Sequence, residues 1–382
     1  MDIPPSSISI LIPDSEDHKP LTLQVVRCLS IEKDITIFLM SSVKQNYLKY
    51  SRHVNHISYY KKTNDEEWVS EINNQVEHHN IDIIMPVFDR GIETLIRNKN
   101  LVKDKNKLCV SPKLSNYNIA RHKDSLYLHL IKHKLPTPKS IITKAGAYES
   151  LKELNFPVIA KPVIGFSGGN GIQILNSNED VKTYCKYVKY NCNSIYQNYI
   201  KGYDICCNVI CDNGEVIAHT IQCVKSTHNT DLEPQTSFCF TKQPELLELI
   251  KKLMVSLDWT GVANIDCRYD ENSKEFKIIE VNTRYWINID ASAIANVNFP
   301  YLHCLLTLSR KIYTKEYKTI PYLNLKGLVR EVFKNPSMIF NYSYLKNNTS
   351  LVFVIKDPIP DLCRFVWRTK NVVVKKTKKR QN

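Results

Sequence analysis

Apolar and polar positions in the first third of the chain follow two alternating patterns. Short apolar, β-branched runs predict strands, and the stretches between them carry apolar residues at the three- and four-residue spacing of amphipathic helices. The predicted strands are residues 8–12, 35–40, 56–60 and 81–87, and the predicted helices include residues 21–29 and 68–78. This order of elements is typical of a small parallel α/β sheet.

The turn after the first predicted strand, residues 13–17, contains three acids and no glycine. A dinucleotide pyrophosphate needs close approach of the backbone at this turn, which glycine provides. The sequence therefore argues against a nicotinamide or flavin site of the Rossmann type.

The middle third of the chain has a glycine-rich segment between two β-like runs. Four of the chain's ten glycines fall within residues 165–171, and Lys161 lies on the run that precedes them. Bare backbone N–H groups can close over phosphates, which a lysine on the entering strand can neutralise. No Gly-Lys-Ser/Thr follows, so the segment is not a Walker A loop, and a plain hairpin turn at Asn170-Gly171 is the alternative.

Another strand-like run, residues 276–284, carries polar residues on one side of an apolar pattern. Because side chains two apart on a strand share a face, Glu280, Asn282 and Arg284 are expected to point the same way. An acid and an amide on one face are suitable oxygen ligands for Mg²⁺. The alternative is the solvated outer face of an ordinary hairpin.

The preceding run, residues 265–270, supplies a second carboxylate. If residues 271–275 form the connecting loop, antiparallel pairing places Asp266 opposite Glu280. Two facing carboxylates repel each other unless a cation or a proton lies between them. The register decides this prediction, since a slip of one residue would turn Asp266 to the other face.

Composition indicates a folded chain of 382 residues with 43% hydrophobic and 24% charged positions, enough for roughly two or three domains. The twelve cysteines include no C-x-x-C pair, which predicts reduced thiols in a reducing compartment. No leader-like start and no apolar run of about 18 residues occurs in the sequence. We therefore expect a cytoplasmic protein.

The chain is basic, with a formal net charge of +14, and basic residues are frequent at its end. Eight of the last nineteen residues are Lys or Arg, and no acid follows Asp361. Such a tail can make a weak contact with anionic membranes, or can simply be solvated. No nucleic-acid-binding module is recognisable, so a nucleic-acid partner is disfavoured.

Before this tail, the pattern predicts a helix at residues 326–338 and a strand at residues 350–355, followed by a break at residues 357–360. A further helix is predicted at residues 121–134, ended by Pro136-Thr137-Pro138. These elements complete the expected order.

Taken in order, the motifs of residues 80–305 resemble the ATP-grasp superfamily, specifically its carboxylate–amine ligases related to the carbamoyl-phosphate synthetase large chain. The segments that carry the resemblance are residues 81–87, His122-Lys123-Asp124, residues 136–138, residues 156–162 with the glycine-rich loop, residues 197–204 and residues 280–284.

The resemblance implies an α/β (α+β) fold in which two α+β subdomains of the ATP-grasp type close on ATP, preceded by a small Rossmann-like parallel α/β domain. The expected domains are a pre-ATP-grasp domain at 1–112, a linker and first subdomain at 113–195, a second subdomain with the metal site at 196–310, and a variable C-terminal extension with the basic tail at 311–382.

It also implies a role for each matching residue. Lys123 and Lys161 match the lysines that hold nucleotide phosphates. Asp204 matches the acid that contacts the ribose, although without the resemblance it would be interpreted as an ordinary acid in a turn. The residues matching the phosphate-covering loop are Ser167, Gly168, Gly169 and Gly171. Those matching the hinge around adenine are Gln197, Asn198, Tyr199 and Ile200.

Asp266, Glu280 and Asn282 match the ligands of two Mg²⁺ ions, for which Mn²⁺ could substitute. Arg284 matches the catalytic arginine that stabilises charge on the transferred group. The implied reaction activates a small-molecule carboxylate with ATP as an acyl phosphate and passes it to an amine.

Three departures from the family pattern concern the hinge and the acceptor pocket. Thr283 stands where proline is usual, Asn198 where glutamate is frequent, and Ile287-Asn288 where Gly-Ser commonly follows the arginine. An ATP-binding pseudoenzyme and an ATP-grasp enzyme with a non-amine acceptor therefore stay as alternatives. A homo-oligomer is compatible with the sequence, which does not determine the oligomeric state.

Overall fold

The structure is a computed structural model that describes residues 7–14, 20–61, 64–144, 151, 153–163, 171–187, 193–224, 236–367 and 369. Two compact units are distinguished: the first unit comprises residues 1–110, 284–317 and 322–382, and the second comprises residues 111–283 and 318–321. The four-part domain division expected from the sequence stays a prediction.

The strands, in chain order, are β1 Ile8–Ile12, β2 Ile35–Ser41, β3 His56–Tyr59, β4 Ile83–Ile84, β5 Ser140–Lys144, β6 Val158–Pro162, β7 Gln173–Leu175, β8 Asn193–Asn198, β9 Gly202–Asp212, β10 Glu215–Cys223, β11 Ser237–Phe240, β12 Gly261–Asp270, β13 Glu275–Asn282 and β14 Pro321–Leu323.

The α-helices are α1 Leu21–Leu29, α2 Asp65–His78, α3 Asp89–Arg97, α4 Leu114–Arg121, α5 Lys123–Lys132, α6 Asn178–Tyr187, α7 Pro244–Ser256, α8 Ile289–Ile294, α9 Phe299–Thr307, α10 Leu325–Lys334, α11 Tyr342–Asn348 and α12 Leu351–Lys356. Short 3₁₀ turns occur at Tyr47–Tyr50, Lys99–Leu101, Lys105–Lys107 and Pro336–Phe340. Residues 359–367 are also helical.

The first unit contains the predicted parallel sheet, in the order β3-β2-β1-β4. Each neighbouring pair of strands runs in the same direction. Side chains of the sheet and of α2 and α3 form one buried apolar cluster that includes Leu11, Met40, Ile72, Ile84 and Leu95. The apolar, β-branched strands therefore pack as their sequence predicts.

The turn after β1 is occupied by the chain's own carboxylate. Asp14 accepts hydrogen bonds from the N–H groups of Val87 (2.9 Å) and Phe88 (2.8 Å), immediately before α3. A Cβ atom at Gly91 would overlap Asp14 Oδ2, so glycine is required there. A carboxylate held at a helix N-terminus is favourable, and it supports the exclusion of a Rossmann pyrophosphate site.

The second unit is built around two antiparallel sheets. The smaller has the strand order β5-β8-β6-β7, and the strands of the larger sheet that lie within this unit have the order β13-β12-β9-β10-β11. A tight turn joins β9 to β10, as the motif Asp212-Asn213-Gly214 predicts, and Asn213 and Gly214 both have positive φ, 45° and 85°. Both central residues of a type I′ hairpin turn require that conformation, which explains the Asn-Gly pair.

The hairpin of β12 and β13 places Asp266 opposite Glu280, as predicted, but by a different route. Pairing begins at Asp270 with Glu275, one residue earlier than expected, and runs to Cys267 with Ile278. A β-bulge at Ile279 then restores the expected pairing. The bulge thus turns Glu280 onto the same face as Asp266.

Residues before β5 hold the outer edge of β13 beside this bulge. Ile278 donates its N–H to the carbonyl of Pro136 (2.9 Å), and its carbonyl accepts from Thr137 Oγ1 (3.1 Å). The Pro-Thr-Pro motif therefore has a local structural role: it pairs with the strand that carries Glu280.

The helix predicted at residues 121–134 is confirmed as α5, Lys123–Lys132, which begins two residues later than predicted. His122 is extended, with φ −89° and ψ 122°, and separates α4 from α5. Lys123 is consequently the first residue of α5 rather than a mid-helix residue.

The strand predicted at residues 350–355 is wrong, because this apolar run forms α12. Thr349 Oγ1 accepts the N–H of Leu351 (3.2 Å), and the Ser350 carbonyl accepts from Phe353 and Val354. A helix satisfies its own backbone without a partner strand, which an apolar run alone cannot indicate. The helix predicted at 326–338 ends earlier, at Lys334, before Asn335-Pro336.

In the described part of the chain, no helix is both long and apolar enough to cross a membrane. All eleven described cysteines are free thiols, in line with the expectation of reduced cysteines.

Candidate functional site

One face of the large sheet carries polar residues at alternating positions of otherwise apolar strands. On β12 these are Asn264, Asp266 and Arg268, and their partners across the sheet are polar as well. Paired with them on β9 are Asn208, Cys206 and Asp204, and Asn282 and Glu280 lie opposite Asn264 and Asp266 on β13. A buried sheet face of this composition is expected where a polar ligand is bound.

A chain of amide hydrogen bonds crosses this face. Asn282 Nδ2 donates to Asn264 Oδ1 (2.8 Å) and to Asp266 Oδ2 (3.0 Å). Asn264 Nδ2 donates to Asn208 Oδ1 (2.9 Å), whose own Nδ2 donates to Thr220 Oγ1 (3.0 Å). We call Asn282, Asn264, Asn208 and Thr220 the amide ladder. Since Nδ2 of Asn282 is committed to these acceptors, its side chain can offer a metal ion only Oδ1.

Two lysines from other elements meet the carboxylates of this face. Lys123 Nζ, at the start of α5, lies 3.1 Å from Glu280 Oε2. Lys161 on β6 is only 3% exposed and interacts electrostatically with Glu280, Lys123 and Asp266. The structure therefore brings together the two predicted phosphate-binding lysines and the predicted metal ligands Asp266, Glu280 and Asn282.

The charges of this cluster shift one another's pKa values. Burial lowers the pKa of Lys161 to about 8, with repulsion by Lys123 adding to the effect and the negative charges of Glu280 and Asp266 opposing it. Burial and the facing charge of Glu280 raise the pKa of Asp266. Burial alone would also raise the pKa of Glu280, but Lys123 and Lys161 outweigh it and lower that pKa.

This donor set fits a magnesium ion. The raised pKa of Asp266 reflects its removal from solvent and the half-buried carboxylate of Glu280 that faces it, a repulsion that a cation between them would relieve. Within the described residues, no group of three His, Cys, Asp or Glu has the arrangement of a metal site. Two carboxylates and one amide oxygen still suit Mg²⁺, because it usually keeps water and phosphate oxygens as its other ligands.

The predicted hinge is fixed by Arg268. Its guanidinium donates to the carbonyls of Ile200 (Nε, 2.7 Å) and Gly202 (Nη2, 3.0 Å) and to Asp204 Oδ1 (Nη1, 2.6 Å). It also lies over the ring of Tyr199, 5.3 Å from the centroid. Asp204, the predicted ribose ligand, therefore already has a cationic partner.

The other hinge residues belong to β8 or follow it. Gln197 is buried, and Asn198 Oδ1 accepts the N–H of Asn155 at 3.3 Å. Asn198 thus has a structural contact where the family frequently has glutamate.

Arg284 belongs to the first unit and has its own acidic partner. Its Nε donates to Asp89 Oδ2 (3.0 Å), in the first turn of α3, and its Nη1 donates to the carbonyl of Tyr285 (2.8 Å). Tyr285 is buried and its hydroxyl lies 2.8 Å from His303 Nδ1. The His303 Nε2–H donates to the Val110 carbonyl at 2.8 Å, so the Tyr285 hydroxyl donates to Nδ1.

The predicted phosphate-covering residues Ser167, Gly168 and Gly169 lie outside the described residues. Gly171 is described; its φ is 80°, and its carbonyl accepts from the Tyr184 hydroxyl at 3.3 Å.

Sequence reasoning missed Asn264, Asn208, Asp89 and the hinge role of Arg268. Asn264 could have been found, because it precedes Asp266 by two residues and so shares its face. Asn208 and Asp89 gave no such signal, since their partners come from distant parts of the sequence.

Residues 193–328 match the family described as ATP-grasp in the biosynthetic pathway with Ter operon. No curated protein matches the sequence. Similar solved structures include N5-carboxyaminoimidazole synthetase from Staphylococcus aureus with ADP (13% identity, 87% of each chain, TM-score 0.66) and an L-amino acid ligase from Bacillus licheniformis (14% identity, 81% of this chain and 75% of that chain, TM-score 0.62).

A third similar structure is the biotin carboxylase domain of 2-oxoglutarate carboxylase from Hydrogenobacter thermophilus, in complex with MgADP, ADP and bicarbonate. It has 16% identity to this chain, covers 82% of this chain and 72% of its own, and has a TM-score of 0.62. The resemblance and the fold predicted from the sequence are thereby confirmed. The chain has the fold of these solved structures, and residues 193–328 match an ATP-grasp family.

Proposed function

We propose that this protein is an ATP- and Mg²⁺-dependent ligase that activates a carboxylate as an acyl phosphate and joins it to an amine, releasing ADP and phosphate. The observation that carries the proposal is the meeting of Lys123 and Lys161 with Asp266, Glu280 and Asn282 on one sheet face. The named neighbours, which include an ADP complex, an MgADP complex and an amino acid ligase, support the same class of reaction.

The two lysines would bind the phosphates of ATP. Lys161 is buried and burial disfavours its charged form, which a bound phosphate would stabilise. Asp266, Glu280 and Oδ1 of Asn282 would hold Mg²⁺, which when bound supplies positive charge to the phosphate oxygens. The amide ladder fixes Asn282 in the orientation that presents this oxygen.

The reaction would proceed in two steps, phosphoryl transfer to the carboxylate and then acyl transfer to the amine. An oxygen of the substrate carboxylate attacks the γ-phosphorus, and the bond to the bridging oxygen of ADP breaks. The amine nitrogen then attacks the acyl carbon, phosphate leaves, and the nitrogen loses a proton. Arg284, two residues after Asn282, would stabilise the negative charge that develops, and Asp89 would keep its guanidinium oriented.

An ATP-binding pseudoenzyme is the second candidate. It is favoured by the pairing of Asp204 with Arg268, because this ion pair occupies the acid that the family uses at the ribose. A third candidate is an ATP-grasp enzyme with the same ATP chemistry and a non-amine acceptor.

The double variant Glu280→Ala/Asn282→Ala should abolish release of phosphate from MgATP, since it removes two of the three proposed metal ligands. Phosphate release would be measured across pools of amino acids, dipeptides and small amines. The matched control is Glu248→Ala/Asn178→Ala, which changes the same residue types at exposed helical positions of the same unit.

Release that requires both an acid and an amine, and that the control retains, supports the ligase. Equal release by Glu280→Ala/Asn282→Ala and wild type would rule out the proposed metal site. ATP binding with no stimulated release would favour the pseudoenzyme.

Asn264→Leu should weaken the apparent affinity for Mg²⁺ by about 10–100-fold, the usual effect of losing a group that orients a metal ligand. Asn282 would lose the acceptor that fixes its amide, whereas ATP binding without Mg²⁺ should hardly change. Mg²⁺ would be titrated at fixed ATP, with urea denaturation to verify folding. Thr220→Val, which removes the acceptor at the far end of the amide ladder, serves as a control and should weaken the affinity for Mg²⁺ less. An unchanged Mg²⁺ titration in a folded Asn264→Leu protein would exclude the orienting role.

ATP affinity should fall as pH rises from 7.5 to 9.5. Lys161, with a pKa of about 8, is charged below this value and loses its proton above it, whereas phosphate binding needs the cation. The loss should approach about tenfold per pH unit above pH 8. Lys161→Arg keeps its charge and should give a flat profile in calorimetric titrations. Parallel profiles for the two proteins would show that Lys161 does not titrate on binding.

A further inference from the structure

The C-terminal part of the first unit exposes many large apolar side chains. Of the twenty large apolar side chains exposed in the described chain, ten lie within residues 329–366. They are Val329, Phe333, Ile339, Phe340, Tyr342, Ile355, Ile359, Leu362, Phe365 and Val366. Phe333 and Phe340 are 84% and 83% exposed, so their rings contribute almost nothing to the core of the unit.

These residues follow the helices with helical spacing. Ile359, Leu362 and Val366 recur at intervals of three and four along the helical residues 359–367, which places them on one stripe. Val329 and Phe333 have the same relation on α10. We call the ten exposed side chains the apolar surface of the extension.

The opposite side of the last helix is attached to the body of the unit. Asp361 pairs with Arg27 at 2.6 Å, and the ring of Trp367 contacts Tyr47 edge-on, 6.4 Å between centroids. The helix that exposes the stripe of Ile359, Leu362 and Val366 is therefore fixed to the body of the unit.

The same segment carries most of the net positive charge of the protein. Residues 325–382 contain thirteen Lys and Arg against three Asp and Glu, a net charge of +10 out of +14 for the whole chain. Two of the three acids are turned inward: Asp357 is 2% exposed and accepts from the Ser51 hydroxyl at 2.6 Å, and Asp361 pairs with Arg27. Only Glu331 is thus left to offset the basic residues of this segment.

We propose that residues 325–382 dock this protein on the surface of a bilayer that contains anionic lipid. Aromatic and aliphatic side chains enter the boundary between headgroups and acyl chains, while lysines and arginines contact lipid phosphates. No described helix is long and apolar enough to span, so the contact lies in the plane of the interface. The docking does not depend on the nucleotide site.

The charge also argues against the other ways of covering this surface. In a two-fold dimer the same patch meets itself, which would bring +10 against +10. A nucleic acid would satisfy the charge but gains nothing from exposed Ile, Leu and Val side chains, since its phosphates and base edges are polar. An anionic bilayer satisfies both properties at once.

Flotation of the full chain with lipid vesicles tests the proposal. Vesicles of phosphatidylcholine alone are compared with vesicles that also contain phosphatidylglycerol, at low and high salt. One variant removes aromatics, Phe333→Ser/Phe340→Ser/Phe365→Ser, and another removes tail charge, Lys375→Gln/Lys376→Gln/Lys378→Gln/Lys379→Gln. The control, Leu128→Ser/Ile131→Ser/Val255→Ser, removes exposed apolar side chains from the second unit.

Wild type should bind the anionic vesicles, dissociate from them at high salt, and not bind the neutral vesicles. Each of the two extension variants should bind at least about tenfold more weakly, and the control should bind as wild type. Full binding by the aromatic variant would overturn the proposal, because the tail would then act by charge alone. Absence of binding, together with a dimer that the aromatic variant dissociates in ultracentrifugation, would show that a second copy covers the surface.

Discussion

The opposition of Asp266 and Glu280 across β12 and β13 is the constraint on which the candidate site depends. Two carboxylates that face each other in a buried setting repel, so the fold must provide compensating cations or a proton. It provides Lys123 from α5 and Lys161 from β6, and leaves Asp266 with a raised pKa. The charges of this cluster therefore favour the binding of a divalent cation together with the phosphates that accompany it.

The amide ladder links this cluster to the interior of the large sheet. Because every amide in it donates in the same direction, the orientation of Asn282 is set by residues on three further strands. Arg268 has a comparable effect on the hinge, where one guanidinium bonds two backbone carbonyls and Asp204. In both places a buried or half-buried polar residue fixes the geometry of a neighbour that is proposed to touch the ligand.

Local pattern was sufficient for the parallel sheet, the Asn-Gly turn and the facing of Asp266 and Glu280. It was insufficient for the bulge at Ile279, since an extra residue on one strand has no signature in apolar periodicity. It failed for residues 350–355, where an apolar run forms α12, since a short apolar run does not by itself distinguish a strand from a helix. Asp89 and Asn208 could not be predicted, as their partners Arg284 and Asn264 are brought to them by the fold.

The most direct test of the central claim is a calorimetric titration of the purified protein with ATP, with and without Mg²⁺, beside Lys161→Met. Wild type is expected to bind ATP more tightly with Mg²⁺ than without it, and Lys161→Met is expected to lose most of the affinity under both conditions. Binding by Lys161→Met equal to that of wild type, or no binding of ATP by wild type, would contradict a nucleotide site at Lys161, Asp266 and Glu280.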